Sequence, residues 1–347
     1  MIRKVEVVIG YKCNFRCKYC YEQYIDGSYT NKKMDKSTIE ATCTYIKNLV
    51  ATIPSEDILQ VSFFGGENFL YLDIIDQFIN NLKLCDRVRF KLITNGSLVA
   101  KNFDIVLKWK QLIGNRLSIS VSYDYCFQDE HRCKNTYQKV RDAILMIDQA
   151  DIRLAVIAVL TGKDVQNFHL MYNDYLKLRQ QIKHRETFLF RFQMDNQSVC
   201  QVDYQSSLKS LQAMEKFLEA HPDQRQLIVY KYGGNRYDNC GMGWRVLAGV
   251  DYDGSLYPCQ GAIYDDNKSM FRYGNVKDNF QTTIHNHDQL IYKLRWPIES
   301  KCRTCNSFCK RCPLHSIKTD YIQFGLLPPQ SICKAHQFLS RYLKKCC

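Results

Sequence analysis

The chain has 347 residues, of which 46% are hydrophobic, so it can bury the core of one large α/β domain and one smaller domain. Its formal net charge of +13 favours an acidic peptide or a nucleic acid as partner. There is no stretch of eighteen apolar residues, and the first residues do not resemble a signal peptide. These observations argue against a membrane-spanning helix and predict a cytoplasmic protein.

Short runs of β-branched and aromatic residues alternate with helix-length amphipathic segments in the first part of the chain. The runs predict six strands, at Val5–Ile9, Ile58–Phe64, Val88–Thr94, Leu117–Tyr123, Arg153–Leu160 and Thr187–Phe192. The patterns between them predict helices that include Lys36–Leu49, Leu72–Leu84, Asn135–Ile147 and Asp164–Ile182. Six βα units predict an α/β fold, a partial (β/α)6 TIM barrel, whose functional residues lie at the carboxyl ends of the strands.

The composition changes from about Tyr230 onward, where Gly-Gly, Cys-Gly and Asp-Gly turns replace the βα pattern. Nine of the seventeen cysteines follow Lys231, which indicates a separate domain organised by metal. Two short strands are expected there, at Val246–Tyr252 and Leu256–Tyr257. We therefore divide the chain into a barrel at residues 1–200, a helical connector at 201–235 and a cysteine-rich domain at 236–347.

Three cysteines, Cys13, Cys17 and Cys20, follow the first predicted strand on one short loop. Disulfides are rare in the cytosol, so clustered cysteines in such a chain point to metal binding or catalysis. Three thiolates on a four-iron cube leave one iron with an open position, where a substrate or cofactor can bind. Structural zinc is the alternative, but the loop offers no fourth ligand nearby, which favours the iron–sulfur cluster.

The segment Cys13–Cys20, which reads Cys-Asn-Phe-Arg-Cys-Lys-Tyr-Cys, resembles the signature loop of the radical S-adenosylmethionine superfamily. The resemblance extends from Val5 to about Phe192. It implies a [4Fe–4S] cluster on the three cysteines, with S-adenosylmethionine bound to the fourth iron through its amine and carboxylate. It also implies that one electron, from a reductant such as flavodoxin or ferredoxin, splits the cofactor. The resulting 5′-deoxyadenosyl radical would abstract hydrogen from the substrate.

Polar residues follow the next three predicted strands in the order that this superfamily shows. Gly65, Gly66 and Glu67 come after the second strand, where glycine allows the backbone to approach a ligand closely. The resemblance implies that Glu67 binds the ammonium group of the cofactor, and Asn68 replaces the family's proline, which should alter loop stiffness. The implied cofactor contacts are Tyr19, Gly65, Gly66, Glu67, Asn95, Ser122 and Arg132. Each motif alone is typical of an ordinary turn or a solvated arginine, and their shared order favours a site.

The later cysteines resemble a SPASM domain, the auxiliary-cluster domain of peptide-modifying radical enzymes. The resemblance rests on Cys240-Gly-Met-Gly and on the segment from Gly254 to Cys259. It implies two further [4Fe–4S] clusters, the nearer one on Cys240, Cys259 and Cys312 and the outer one on Cys302, Cys305, Cys309 and Cys333. The spacing of the later cysteines departs from the family pattern. The alternative is a structural zinc site on Cys302, Cys305, Cys309 and Cys312.

Two roles are expected for cysteines outside these motifs. Cys43 and Cys85 should be buried as small hydrophobic side chains. Cys126 and Cys133 follow the fourth strand and Cys200 follows the sixth, so we keep them as candidate donors of a hydrogen atom to a substrate radical.

Together these features predict a radical enzyme that modifies a ribosomally made peptide by cross-linking, epimerisation or oxidation. The segment before Val5 leaves no room for a leader-binding domain, so we expect leader recognition by the barrel surface, by a separate leader-binding protein, or not at all. The first alternative is a sulfatase-maturating enzyme that makes formylglycine, although Gln260 stands where that family has an acidic residue. The second is an RNA-modifying radical enzyme, which only the net charge suggests. The third is a non-enzymatic iron–sulfur or zinc protein that binds nucleic acid, against which the strand-end residues argue.

Overall fold

The computed structural model describes residues 2–20, 31–161, 164, 167–194, 216–217, 219–222, 228–230, 247–264 and 268–295. Predictions that concern Cys200, Cys240 and the cysteines from Cys302 to Cys333 lie outside these residues. Within the described part of the chain, no helix is long and apolar enough to cross a membrane.

One sheet of ten strands runs through the described residues. The strands are β1 Lys4–Val8, β2 Leu59–Phe64, β3 Val88–Thr94, β4 Leu117–Ser122, β5 Arg153–Leu160, β6 Phe190–Met194, β7 Ile228–Tyr230, β8 Leu247–Val250, β9 Ser255–Tyr257 and β10 Gly274–Asn275. Strands β1 to β6 lie side by side in chain order and pair in parallel. The predicted α/β class and the succession of βα units are therefore confirmed.

Helices connect the parallel strands. The described α-helices are α1 Lys36–Thr52, α2 Leu72–Leu82, α3 Phe103–Ile113, α4 Gln128–His131, α5 Tyr137–Gln149, α6 Phe168–Gln181, α7 Gln260–Ile263 and α8 Phe280–Arg295. Helix α1 begins after Asp35, whose carboxylate accepts a hydrogen bond from the Thr38 N–H at 2.7 Å. Helix α3 ends at Ile113 and is followed by Gly114, whose φ of 58° is one that glycine adopts without strain.

Alternate residues of the strands face the apolar core. In β3, Val88, Phe90 and Leu92 are fully buried, whereas Arg89 is exposed and Lys91 is half-buried. Successive side chains of a strand point to opposite faces, so one face of the sheet packs against the helices and the other carries polar groups. The functional groups described below therefore come from the ends of the strands and from this polar face.

The strand predicted at Val246–Tyr252 is β8, and it extends the barrel sheet by pairing in parallel with β1. Gly249 in β8 lies against the backbone of Cys259, where a Cβ atom would come within 2.8 Å of the Cys259 carbonyl carbon. The N–H of Gln260 donates to Oε2 of Glu6 in β1 at 3.1 Å. The described residues 247–260 of the cysteine-rich region are therefore continuous with the sheet, and they hold Cys259 close to β1. The domain boundaries near residues 200 and 235 stay predictions.

Candidate active site

The three cysteines of the predicted cluster lie on one loop directly after β1. Cys13, Cys17 and Cys20 are all half-buried. Two hydrogen bonds shape the loop, since the Phe15 N–H donates to Sγ of Cys13 at 3.4 Å and the Cys20 N–H donates to the Cys17 carbonyl at 3.1 Å. Because β1 is parallel to both of its neighbours, the loop lies at the edge where the carboxyl ends of the strands meet.

Gly65 and Gly66 hold the backbone that leads into this loop. The Gly66 N–H donates to the Gly10 carbonyl at 3.0 Å, and the Glu67 N–H donates to the Lys12 carbonyl at 2.9 Å. A Cβ atom on Gly65 would come within 2.2 Å of the Gly10 oxygen, and one on Gly66 within 2.2 Å of the Lys12 oxygen. The close approach that these glycines permit is therefore to the protein's own backbone, whereas the sequence suggested an approach to a ligand.

Glu67 is almost completely buried, and protein groups engage both oxygens of its carboxylate. Oε1 accepts hydrogen bonds from the Thr94 hydroxyl at 2.6 Å and the Phe69 N–H at 3.0 Å, and Oε2 accepts one from the Asn95 N–H at 2.7 Å. Burial raises the pKa of the Glu67 carboxyl, and the three donors act against that rise. Glu67 therefore joins the loop after β2 to the loop after β3.

Two asparagines add further connections between the strand ends. Asn68, which occupies the position of the family's proline, donates from Nδ2 to the carbonyl oxygens of Phe63 at 2.9 Å and Ile93 at 2.6 Å. Asn95 donates from Nδ2 to Oδ1 of Asn14 at 2.8 Å. The first asparagine links the ends of β2 and β3, and the second links β3 to the cysteine loop.

Asp124 follows β4 and is the centre of a buried polar cluster. Its carboxylate accepts hydrogen bonds from the Tyr19 hydroxyl, from Nε and Nη2 of Arg132 at 3.1 and 3.3 Å, and from the Val159 N–H at 2.9 Å. Burial acts to raise the pKa of Asp124, but the guanidinium and the other donors outweigh it and lower that pKa. The guanidinium also lies 5.2 Å from the Tyr19 ring centroid, and its Nη1 is 3.9 Å from Sγ of Cys17.

His131 ends α4 and lies between two buried carboxylates. Its Nε2 is 3.1 Å from Oδ1 of Asp164, and its Nδ1 is 3.6 Å from Oδ2 of Asp124. Burial lowers the pKa of this imidazole, but the two carboxylates outweigh burial and raise the pKa to about 9. His131 is therefore a second cation of the cluster at neutral pH. Its carbonyl oxygen accepts a hydrogen bond from the Lys18 N–H at 2.9 Å, which ties it to the cysteine loop.

The other residues proposed from the sequence differ in their burial. Ser122 is the last residue of β4 and is half-buried. Cys133 is half-buried and Cys126 is exposed, and their role as hydrogen-atom donors stays a prediction. Cys43 is buried as expected, and its burial raises the pKa of the thiol to about 12, so it is a neutral thiol. Cys85 is only half-buried.

The donor set fits an iron–sulfur cluster. Thiolates are the soft ligands that such clusters take, and three of them lie on one loop held by hydrogen bonds to its neighbours. Burial raises the pKa of the Cys17 thiol, while the Arg132 guanidinium lowers it and supplies a positive charge beside the sulfur. Among the described residues, no three His, Cys, Asp or Glu side chains converge to hold a single metal ion. A four-iron cluster does not require such convergence, because each thiolate binds a different iron.

This arrangement defines a class of α/β enzyme in which a three-cysteine loop lies at the carboxyl ends of parallel strands. Residues 7–174 match the family model of the Radical SAM superfamily. The chain therefore contains a radical SAM domain, which belongs to a superfamily of enzymes that use a [4Fe–4S] cluster and S-adenosylmethionine.

The related proteins include a cyclopropyl synthase and a sulfatase-maturating enzyme. The radical SAM cyclopropyl synthase TigE of Paramaledivibacter caminithermalis is 30% identical over 117 residues, and the match covers 31% of this chain and 25% of that protein. The cysteine-type anaerobic sulfatase-maturating enzyme of Clostridium perfringens is 22% identical over 338 residues, which cover 86% of each chain.

Two solved structures share the fold. Native anSMEcpe with bound AdoMet and Cp18Cys peptide has a TM-score of 0.71 at 18% identity, and the match covers 99% of this chain and 98% of that chain. Streptococcus suis SuiB bound to the precursor peptide SuiA has a TM-score of 0.62 at 12% identity, with 90% and 71% covered. At these identities the likeness establishes the fold alone.

Proposed function

We propose that this enzyme modifies a peptide by radical chemistry, as a maturase of a ribosomally made peptide. The observation that carries the proposal is the position of Cys259, which packs over Gly249 in β8 while Gln260 bonds to Glu6 in β1. In the proposal Cys259 binds an auxiliary cluster. Cys259 lies against β8, and β8 pairs with β1, the strand that leads into the Cys13–Cys20 loop. A substrate held between the two cysteine sites would be exposed to both.

The related proteins support a peptide as the substrate class. SuiB is described as bound to a precursor peptide, and anSMEcpe is described with a bound peptide. The net charge of +13 adds to this, since a basic protein attracts an acidic peptide. A reductant such as flavodoxin or ferredoxin and a separate leader-binding protein are further partners in the proposal.

Each residue group has a defined role in this proposal. Cys13, Cys17 and Cys20 hold the first cluster, where bound S-adenosylmethionine supplies a 5′-deoxyadenosyl radical when it is cleaved. The proposed cofactor site consists of Tyr19, Glu67, Asn95, Ser122 and Arg132, and Gly65 and Gly66 shape the backbone beside it. One auxiliary cluster is held by Cys240, Cys259 and Cys312, and the other by Cys302, Cys305, Cys309 and Cys333. Cys126, Cys133 and Cys200 are candidates to donate a hydrogen atom.

Replacing Cys259 by alanine tests the proposal. The Cys259→Ala variant is expected to cleave S-adenosylmethionine to 5′-deoxyadenosine when given a reductant, because the cysteine loop after β1 is unchanged. We expect it to fail to release modified peptide, since the auxiliary cluster would accept the electron left after hydrogen abstraction or bind the substrate. The assay incubates each variant with a candidate precursor peptide and follows the mass of that peptide by mass spectrometry.

Cys43→Ala is the matched control, because Cys43 is a buried cysteine outside the motifs. This control should retain both cofactor cleavage and peptide modification. Product formation by Cys259→Ala at the wild-type rate would contradict the role of the auxiliary cluster. Modification of a transfer RNA with no peptide present would contradict the substrate class.

Sulfatase maturation is the second candidate function, and the surroundings of Gln260 favour it more than the sequence alone did. Glu6 accepts the Gln260 N–H at 3.1 Å and pairs with Lys4 at 2.6 Å, and its side chain is only 5% exposed. A carboxylate therefore lies beside position 260 although residue 260 is an amide. In this second candidate function, Glu6 would accept the proton that the substrate loses during oxidation.

The second candidate predicts that the wild-type protein converts the cysteine of a sulfatase-type peptide into formylglycine. Glu6→Gln should then reduce formylglycine formation by about 10²–10⁴-fold while cofactor cleavage continues, because the general base is lost and the cysteine loop is intact. Glu56→Gln, at an exposed glutamate, is the control. Mass spectrometry of the peptide measures both variants, and a wild-type protein that leaves the cysteine unchanged would reject this function.

A further inference from the structure

A network of buried charged side chains connects the turn after β5 to the cysteine loop. Asp164, His131, Asp124 and Arg132 are each 9% exposed or less. The contacts run from Asp164 to His131 at 3.1 Å, from His131 to Asp124 at 3.6 Å and from Asp124 to Arg132 at 3.1 Å. The network ends at Arg132, whose Nη1 lies 3.9 Å from Sγ of Cys17. Carboxylates and cations alternate along it.

Local hydrogen bonds fix the end of the network at Asp164, which is the end far from the cysteine loop. Oδ2 of Asp164 accepts hydrogen bonds from the N–H and the hydroxyl of Thr161 at 2.8 and 2.5 Å, which leaves Oδ1 directed at His131. The imidazole stacks on the Phe127 ring at a centroid distance of 5.5 Å and meets the Tyr19 ring edge-on at 6.1 Å. These contacts give His131 a single orientation between the two carboxylates.

The other end of the network places the Arg132 guanidinium beside Cys17, a predicted ligand of the cluster. Arg132 uses Nε and Nη2 on Asp124, so the pair has a fixed geometry that directs Nη1 towards the Cys17 sulfur. Removing His131 would leave Asp124 with one cationic partner instead of two. A donor or cation beside a cluster thiolate stabilises the more negative, reduced state and raises the reduction potential.

We propose that Asp164 and His131 are positioning residues for the first cluster. They hold Asp124 so that the guanidinium of Arg132 faces the Cys17 sulfur, and in this way they raise the reduction potential of the cluster. The inference rests on the proposed role of Cys17 as a cluster ligand. The inference adds Asp164, on the turn after β5, to the site. This residue lies outside the Cys13–Cys20 loop.

Asp164→Asn tests this inference because it removes the charge and keeps the size of the side chain. The measurement is a redox titration of the full chain followed by electron paramagnetic resonance, in which the first cluster is recognised by the change of its signal on addition of S-adenosylmethionine. We expect a more negative potential, because His131 and Asp124 would no longer direct Arg132 at the Cys17 sulfur, and this effect outweighs the loss of one more distant negative charge. The iron content should be unchanged and cofactor cleavage about 10–100-fold slower. His131→Ala should shift the potential in the same direction.

Asp148→Asn is the matched control. Asp148 is also a buried aspartate, 3% exposed, but it lies in α5 and accepts the N–H groups of Lys183 and His184, which follow the end of α6. This variant should lower the thermal stability without changing the potential. Should Asp164→Asn not fold, Thr161→Val removes one of the bonds that orient Asp164 and is expected to shift the potential in the same direction.

An unchanged potential in folded Asp164→Asn would overturn the inference. A shift of equal size in Asp148→Asn would also overturn it, because the effect would then follow from lost stability. A wild-type protein with no cluster that responds to S-adenosylmethionine would instead refute the proposed cluster site. The two failures are therefore distinguishable.

Discussion

Replacing Cys13, Cys17 and Cys20 together by alanine is expected to abolish cleavage of S-adenosylmethionine. The three thiolates are the ligands that would hold the first cluster, and without it no iron is left to bind the cofactor's amine and carboxylate. Three four-iron clusters amount to about twelve iron atoms per chain, so the variant should retain about eight. Iron analysis after anaerobic reconstitution and chromatography of 5′-deoxyadenosine measure the two effects.

The loop itself should survive this change, because the bonds that anchor it to β2 are made by the main chain. The Gly66 and Glu67 N–H groups donate to the Gly10 and Lys12 carbonyl oxygens and do not involve the thiols. Cys85→Ala, at a half-buried cysteine outside the motifs, is the control and should keep the full iron content. A fully active wild-type preparation with stoichiometric zinc and only four irons would contradict the auxiliary clusters.

Glu67→Ala is expected to weaken S-adenosylmethionine binding by about 10–100-fold and to destabilise the fold at the same time. A charge-assisted contact to the cofactor's ammonium would contribute roughly 1.5–3 kcal/mol, which corresponds to that loss of affinity. The structure adds the second effect, because the buried donors of Phe69, Thr94 and Asn95 would lose their acceptor. Each such unsatisfied donor costs about 1–3 kcal/mol. Calorimetric titration and denaturant unfolding measure the two effects separately.

Thr94→Val separates the two roles of Glu67. It removes one of the donors to the carboxylate and leaves the other two in place. Because the buried Gly96 N–H also loses its acceptor, the variant should lose about 1–3 kcal/mol of stability and bind the cofactor nearly as well as the wild type. If affinity fell in proportion to stability in both variants, Glu67 would act only by joining the loops. Unchanged affinity in Glu67→Ala would show that Gly65–Glu67 is a turn without a binding role.

The parts of this site that the sequence predicted are those that depend on local pattern. Strand β3 has the predicted bounds Val88–Thr94, and helix α1 begins at Lys36 as predicted, because side-chain period and caps act within a few residues. The position of Cys13, Cys17 and Cys20 after the first strand follows from the same local order. The parallel sheet then brings together the ends of strands that are far apart in the chain.

The sequence predicted the positions of Gly65, Gly66 and Glu67 after β2, but it did not predict the contacts that these residues make. Gly65 and Gly66 are needed because the Gly10 and Lys12 carbonyl oxygens lie against them, and no pattern in the sequence shows that approach. The Glu67 carboxylate likewise meets donors on the next strand. Both contacts depend on the register between β1, β2 and β3, which local propensities do not contain.

By itself the sequence determined the α/β class, the order of the βα units and the three-cysteine loop after β1, because each depends on residue types repeated at short spacing. Only the tertiary structure decided that Asp124 joins Tyr19, 105 positions away, to Arg132 and His131. It also decided that β8 pairs with β1 and carries Cys259 to that strand. The physical reason is that a buried charge requires a partner, and the partner is whichever group the packing of the strand ends brings within a few ångströms.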